Sequence, residues 1–154
     1  MKTAAEMLFE KGGSIVTVPS TTTIVEALHI MVDHSIGAVV IKDDNQVKGI
    51  WTERDLMRNT LQAGFNPQTA KIGDYMTTNL KAVSSDSTCF MLLDKFLGLR
   101  LRHLLIEKDG EYIGMLSIGD VIKANLVEKT KELEKLNEMI SWDYYEDWRW
   151  KNED

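Results

Sequence analysis

The stretch Gly49-Ile50-Trp51-Thr52-Glu53-Arg54-Asp55 returns 65 residues later as Gly114-Met115-Leu116-Ser117-Ile118-Gly119-Asp120. In each, an apolar run closes on a hydroxyl residue, and an aspartate follows three positions on. The pattern reads as a strand running into the start of a helix. Taken singly, a hydroxyl-x-x-Asp step is close to a plain capping box. A hydroxyl beside the free N–H groups of a helix start also suits a phosphate. A carboxylate at the same corner can take both hydroxyls of a ribose. Two copies at a fixed offset favour the ligand-binding use.

Outward from these corners, the same shift overlays the chain on itself without a gap from Val18 to Thr60. Val18 meets Val83, Thr23 meets Thr88, Leu28 meets Leu93, Ile41 meets Ile106 and Asp44 meets Asp109. Ile24, Ala27, Leu28, Met31 and Val32 form one helical stripe. Their partners Cys89, Leu92, Leu93, Phe96 and Leu97 are apolar at every place. Helices are therefore predicted at about 24–34 and 89–100, the first opened by the capping pair Thr23 and Glu26. The runs Ala38–Ile41 and Leu104–Ile106 read as buried strands. Polar turns follow them, then second strands at Val47–Trp51 and Tyr112–Leu116, then helices opening at Thr52 and Ser117. Extended pieces, Ile15–Val18 and Leu80–Val83, precede each copy.

The boundaries predicted are a first module over 1–63, a connector over 64–79, a second module over 80–128, and an extension over 129–154. The connector holds a short helical turn at 72–77, and Ala4–Leu8 is its N-terminal counterpart. A copy of about 50–60 residues buries too little to stand alone. The two are expected to pack sheet to sheet about a pseudo-two-fold axis, an α/β (α+β) arrangement.

The chain has 154 residues, 44% of them hydrophobic, and a net charge of −6. That balance argues against a general nucleic-acid or membrane-surface binder. The single cysteine, Cys89, excludes an intramolecular disulfide and reads as a small core residue. No charged-then-apolar leader opens the sequence, and a cytoplasmic location is the default expectation. His29 and His34 lack the companions of a metal site. Nothing has the spacing of a Ser-His-Asp or Cys-His nucleophile or of a Walker loop, so no catalytic residue and no catalytic cofactor are expected.

The repeat resembles a tandem CBS domain pair, also called a Bateman module, over roughly residues 1–128. Its most specific stretches are Arg102-His103-Leu104-Leu105, Gly114 to Lys123, and Gly49 to Leu56. The resemblance implies a β-α-β-β-α unit in each copy, clefts between the modules, and AMP, ADP or ATP as a regulatory ligand. NAD is the alternative ligand, and a scaffold with empty clefts the alternative role. By the resemblance, Asp55 and Asp120 hold ribose, and Thr52 and Ser117 contact phosphate. The first site would join Ile50, Thr52, Arg54 and Asp55 with Asn79, Leu80, Lys81, Leu101, Arg102 and His103. The second would join Met115, Ser117, Gly119 and Asp120 with Ser14, Ile15, Val16, Ile36, Gly37 and Ala38. The first gathers Arg54, Lys81 and Arg102, with His103 as a further cation when protonated. It is expected to favour more phosphate. The second shows no fixed positive charge among these positions, though Lys11 is near in sequence; Gly37 and Gly119 would let a ligand approach the backbone.

The second helix of the second copy is expected to run on to about Ser141, with Leu126, Leu133 and Ile140 seven apart. The segment Trp142 to Trp150 then holds five of the twelve aromatic residues. Rings at that density call for cover, from a second subunit, the modules or a separate effector protein. The resemblance adds a homodimer.

Overall fold

The computed structural model describes residues 1–12 and 15–139. In chain order its elements are α1 (Ala4–Lys11), β1 (Thr17–Val18), α2 (Ile24–His34), β2 (Ala38–Asp43), β3 (Gln46–Thr52) and α3 (Glu53–Asn59). A 3-10 turn at Ile72–Asp74 leads to β4 (Ala82–Ser84), α4 (Cys89–Leu99), β5 (His103–Lys108), β6 (Glu111–Ser117) and α5 (Ile118–Met139). The predicted turn at 72–77 is shorter than read, and α4 ends one residue early. Arg100 takes φ 54, which stops the helix in the left-handed region. Ser35, its counterpart at the repeat offset, does the same for α2 at φ 53.

Local chemistry sets these boundaries. Thr23 accepts from Glu26 N, while the Glu26 side chain accepts from Thr23 N, so α2 opens on a full capping box. The hairpins turn through Asp44-Asn45 and Asp109-Gly110, all four at positive φ. That is the two-residue turn that follows strand twist. Each copy makes a three-stranded sheet, β1-β2-β3 or β4-β5-β6. The first strand pairs parallel with the middle one, and the third antiparallel. Both sheets carry a register shift at the equivalent step, Ile41/Lys42 and Ile106/Glu107.

Strand alternation explains how the sheets meet. Val39 and Ile41 face the first core with Trp51, Ile24, Ala27 and Met31. Leu104 and Ile106 face the second with Leu116, Leu92 and Phe96. Ala38, Val40 and Leu105 are equally buried but belong to neither cluster. They point the other way, into the layer between the sheets.

One pairing in space runs against sequence order. Helix α1, grouped by sequence with the first copy, packs into the second core through Ala4, Met7 and Leu8. Its amides at Ala4 and Ala5 donate to Ser87 O and Ser85 O at 2.8 and 2.9 Å. The Ile72 turn packs into the first core, and Ile50 and Thr77 exchange backbone hydrogen bonds. The repeated strand glycines make room for both. A Cβ on Gly114 would lie 2.5 Å from Leu8, and one on Gly49 would lie 2.7 Å from Met76 Sδ.

Two members of the predicted helical stripes remain outside the cores. Val32 is 75% exposed and its counterpart Leu97 is 74% exposed. Ser14 and the aromatic segment 142–150 lie outside the described residues.

Candidate functional site

At the first corner, Thr52 N donates to Asp55 Oδ2 at 2.9 Å and Thr52 Oγ1 donates to the same oxygen at 3.2 Å. Asp55 N donates back to Thr52 Oγ1 at 3.4 Å. The capping box is thus real, and it uses one carboxylate oxygen. Asp55 Oδ1 lies 3.6 Å from Arg58 Nη1. Two further bonds fix α3 to its surroundings. Glu53 N donates to Gly37 O at 3.1 Å. At the far end, Trp51 Nε1 donates to Asn59 Oδ1 at 2.9 Å, both groups being buried.

This corner opens into a cleft between the copies, with about 840 Å³ of empty volume out to its mouth. Nine of the ten residues predicted for the first site line it: Ile50, Thr52, Arg54, Asp55, Asn79, Lys81, Leu101, Arg102 and His103. Leu80, between two lining residues, does not. Gly37, expected in the second site, also lines the cleft, as do Glu53, Arg58, Thr77, Arg100 and Leu105, which the sequence reading places in neither site. Arg58 had a legible signal, since a residue three beyond Asp55 shares its helix face. Five fixed cations therefore face one cleft: Arg54, Arg58, Lys81, Arg100 and Arg102. Arg54 Nη1 crosses between copies to donate to Arg100 O at 3.3 Å. His103 is not a further cation at neutral pH. Burial pushes its imidazole below the ordinary value, and the nearby Glu53 carboxylate only partly opposes this.

The second corner is built alike and is occupied differently. Ser117 N donates to Asp120 Oδ2 at 2.8 Å, and Asp120 N donates to Ser117 Oγ at 3.1 Å. Lys11 Nζ, from the last residue of α1, donates to the same Asp120 Oδ2 at 2.8 Å and to Met115 O at 3.2 Å. Lys11, near in sequence to the predicted second-site positions, reaches this corner because α1 packs on the second copy and brings it there. Burial works to raise the Asp120 carboxyl, but the bonds from Lys11 and Ser117 outweigh it and hold it below the ordinary value.

The second-site residues are dispersed. Ile15, Val16, Ile36, Ala38 and Met115 line an apolar hollow of about 850 Å³. Asp120 lines a separate hollow of about 610 Å³. Ser117 and Gly119 line neither. Gly37 belongs to the first cleft instead, where a Cβ would lie 2.7 Å from Glu53 Oε1. Among the described residues no group of His, Cys, Asp or Glu is placed to hold a metal ion. Among them, too, no helix is long and apolar enough to cross a membrane.

Two sheet-and-helix repeats, joined face to face with the first strand-to-helix corner opening into a cleft between them, define a paired module. The CBS domain family matches residues 13–61 and 72–126, and the chain belongs to it. The mitochondrial CBS domain-containing protein CBSX3 of Arabidopsis thaliana is 34% identical over 151 residues, spanning 92% of this chain and 73% of that protein. A solved CBS-domain containing protein from Agrobacterium tumefaciens is 36% identical with a TM-score of 0.75, spanning 80% of this chain and 99% of that one. A CBS domain protein from Pyrobaculum aerophilum, solved in complex with AMP, shares the fold at 22% identity and a TM-score of 0.67, spanning 77% of this chain and 89% of that one.

Proposed function

We propose that the chain is a regulatory module whose first cleft binds an adenine nucleotide, acting on a separate partner rather than catalysing a reaction. The observation that carries this is the company Asp55 keeps. One carboxylate, with an oxygen the capping box leaves unused, shares a cleft with five fixed cations in a protein of net charge −6. A ribose diol suits the carboxylate, and a phosphate chain suits the guanidinium groups. Ile50, Leu101 and Leu105 offer apolar surface for a purine. AMP bound by a relative of the same fold supports the class of ligand. Five cations favour ADP or ATP over AMP in this cleft.

The exposed apolar side chains of α2 and α4, Val32, Phe90, Met91 and Leu97, support the homodimer. Calorimetry with AMP, ADP, ATP and NAD tests the ligand. Heat with the adenine mononucleotides, ATP tightest, is expected. Silence from all four would reject the reading, and NAD alone would shift it to the dinucleotide.

A further inference from the structure

Among the described residues, Lys11 alone lines both the apolar hollow and the separate hollow of Asp120. On one side lies the apolar hollow of Ile15, Val16, Ile36 and Met115. On the other lies Asp120. The Lys11 side chain crosses between them, tied at Asp120 Oδ2 and at Met115 O. A nucleoside seated there needs both sides at once, its base on the apolar surface and its ribose on the carboxylate. The crossing lysine stands in that path.

Its position is built rather than incidental. Lys11 closes α1, whose inner face is held in the second core by Ala4 and Met7. The helix stops there because Gly12 takes φ 67, with its N–H on Leu8 O. A lysine in a last turn and an aspartate in the first turn of α5 each suit their own helix dipole. Their side chains meet at 2.8 Å, 40% and 27% exposed. In the first cleft the ion-pair partner of Asp55 among the described residues is the arginine of its own helix, at 3.6 Å.

We propose that Lys11 is the specificity-determining residue of the second cleft: it stands between Asp120 and the apolar hollow, shares Oδ2 with the cap of α5, and competes there with a ribose diol, so the native chain takes adenosine there more weakly than it does once Lys11 is removed. The proposal rests on the nucleotide reading of the corners. An entering ribose displaces the ammonium group, which is then left beside the ligand needing an anion. Neutral nucleosides supply none, whereas a phosphorylated nucleoside does. The second cleft therefore discriminates for phosphate through the same lysine.

The test uses the full chain carrying Asp55→Ala, which weakens the first cleft about 30-fold, with and without Lys11→Met. Calorimetry with adenosine and with AMP is the readout. Competition with a partly exposed ion pair sets the scale at about fivefold. Lys11→Met should tighten adenosine by about that factor and narrow the preference for AMP over adenosine by more. Unchanged or weaker adenosine binding overturns the proposal. Carbon NMR of the Asp120 carboxyl, titrated without ligand, separates the causes of failure. If Lys11→Met raises its midpoint yet neither protein binds adenosine or AMP, the ion pair stands, and the nucleotide reading falls with the proposal. If the midpoint does not move, Lys11 does not hold Asp120, and the proposal fails on its own.

Discussion

Replacing Asp55 probes two duties, the helix cap seen in the structure and the ribose contact of the proposed function. Oδ2 accepts from Thr52 N and Oγ1 and holds the start of α3. Oδ1 is outside the cap, 3.6 Å from Arg58 Nη1, and the nucleotide reading gives it the ribose. Asp55→Ala removes both. Loss of a helix cap costs about 1 kcal/mol. For a chain of this size that lowers Tm by about 2–4 °C. Loss of charge-assisted hydrogen bonds to a ribose diol costs about 2 kcal/mol net, or about 30-fold in affinity. Asp55→Asn keeps a carbonyl oxygen for the cap and loses the charge, so it should retain most of the Tm while still losing about tenfold in AMP binding.

A ligand change completes the cycle. A dideoxyribose analogue of AMP lacks the diol and should bind the native chain about 30-fold more weakly than AMP. To Asp55→Ala it should bind as AMP does, because the two removals delete one interaction. Calorimetry reads the affinities and thermal melting reads the cap. A variant with a lower Tm and AMP affinity within about twofold of native would refute the reasoning. It would show a carboxylate that serves its own helix alone.

Gly114→Val would drive a side chain into Leu8 and should destabilise the chain by about 1–3 kcal/mol, measured by urea unfolding, with α1 loosened first in hydrogen exchange. Asn59→Ala would strand the buried indole N–H of Trp51; about 1–3 kcal/mol of stability and a less ordered first cleft should follow. Burial holds the folded His103 below its ordinary 6.5, so below 6.5 the unfolded chain takes up protons that the folded chain refuses. The contribution of this group is therefore complete above 6.5 and lost as pH falls through the folded value. Urea melts from about pH 7.5 down to about 5 should show that loss, and His103→Gln should flatten it.

The parts of the fold legible in the sequence are those written by local rules. Helix α2 begins where Thr23 and Glu26 mark a cap and ends at His34, as its apolar period requires. The corners at Thr52 and Ser117 fall where the strands run out. Two predicted site residues, Leu80 and Gly37, fall outside their expected clefts for a different reason. Asn79 and Lys81 line the first cleft and Leu80 between them does not, because successive extended residues face opposite ways. Gly37 and Ala38 are likewise adjacent and serve opposite clefts. Carrying a segment over whole ignores that alternation, and applying it would have removed Leu80 and moved Gly37. The placement of α1 had no such signal. Its partners lie far along the chain: the carbonyls of Ser85 and Ser87, the space over Gly114, and Asp120 for Lys11.

That placement makes the two clefts unequal despite matched motifs. A cation three residues after the aspartate is present in both copies, Arg58 after Asp55 and Lys123 after Asp120. Local spacing therefore predicts the same arrangement twice. In the first copy Arg58 does sit beside its carboxylate. In the second, Lys123 lines the hollow, while Lys11, 109 residues away, donates to Oδ2, the oxygen that also caps α5. A carboxylate paired loosely within its own helix can change partner by a side-chain rotation. One held at 2.8 Å by another element gives up that contact only if the lysine or its helix shifts. Since α1 also completes the second core, filling the second cleft carries a cost in packing that the first does not bear. An adenine nucleotide offered in limiting amount should accordingly fill the Asp55 cleft first.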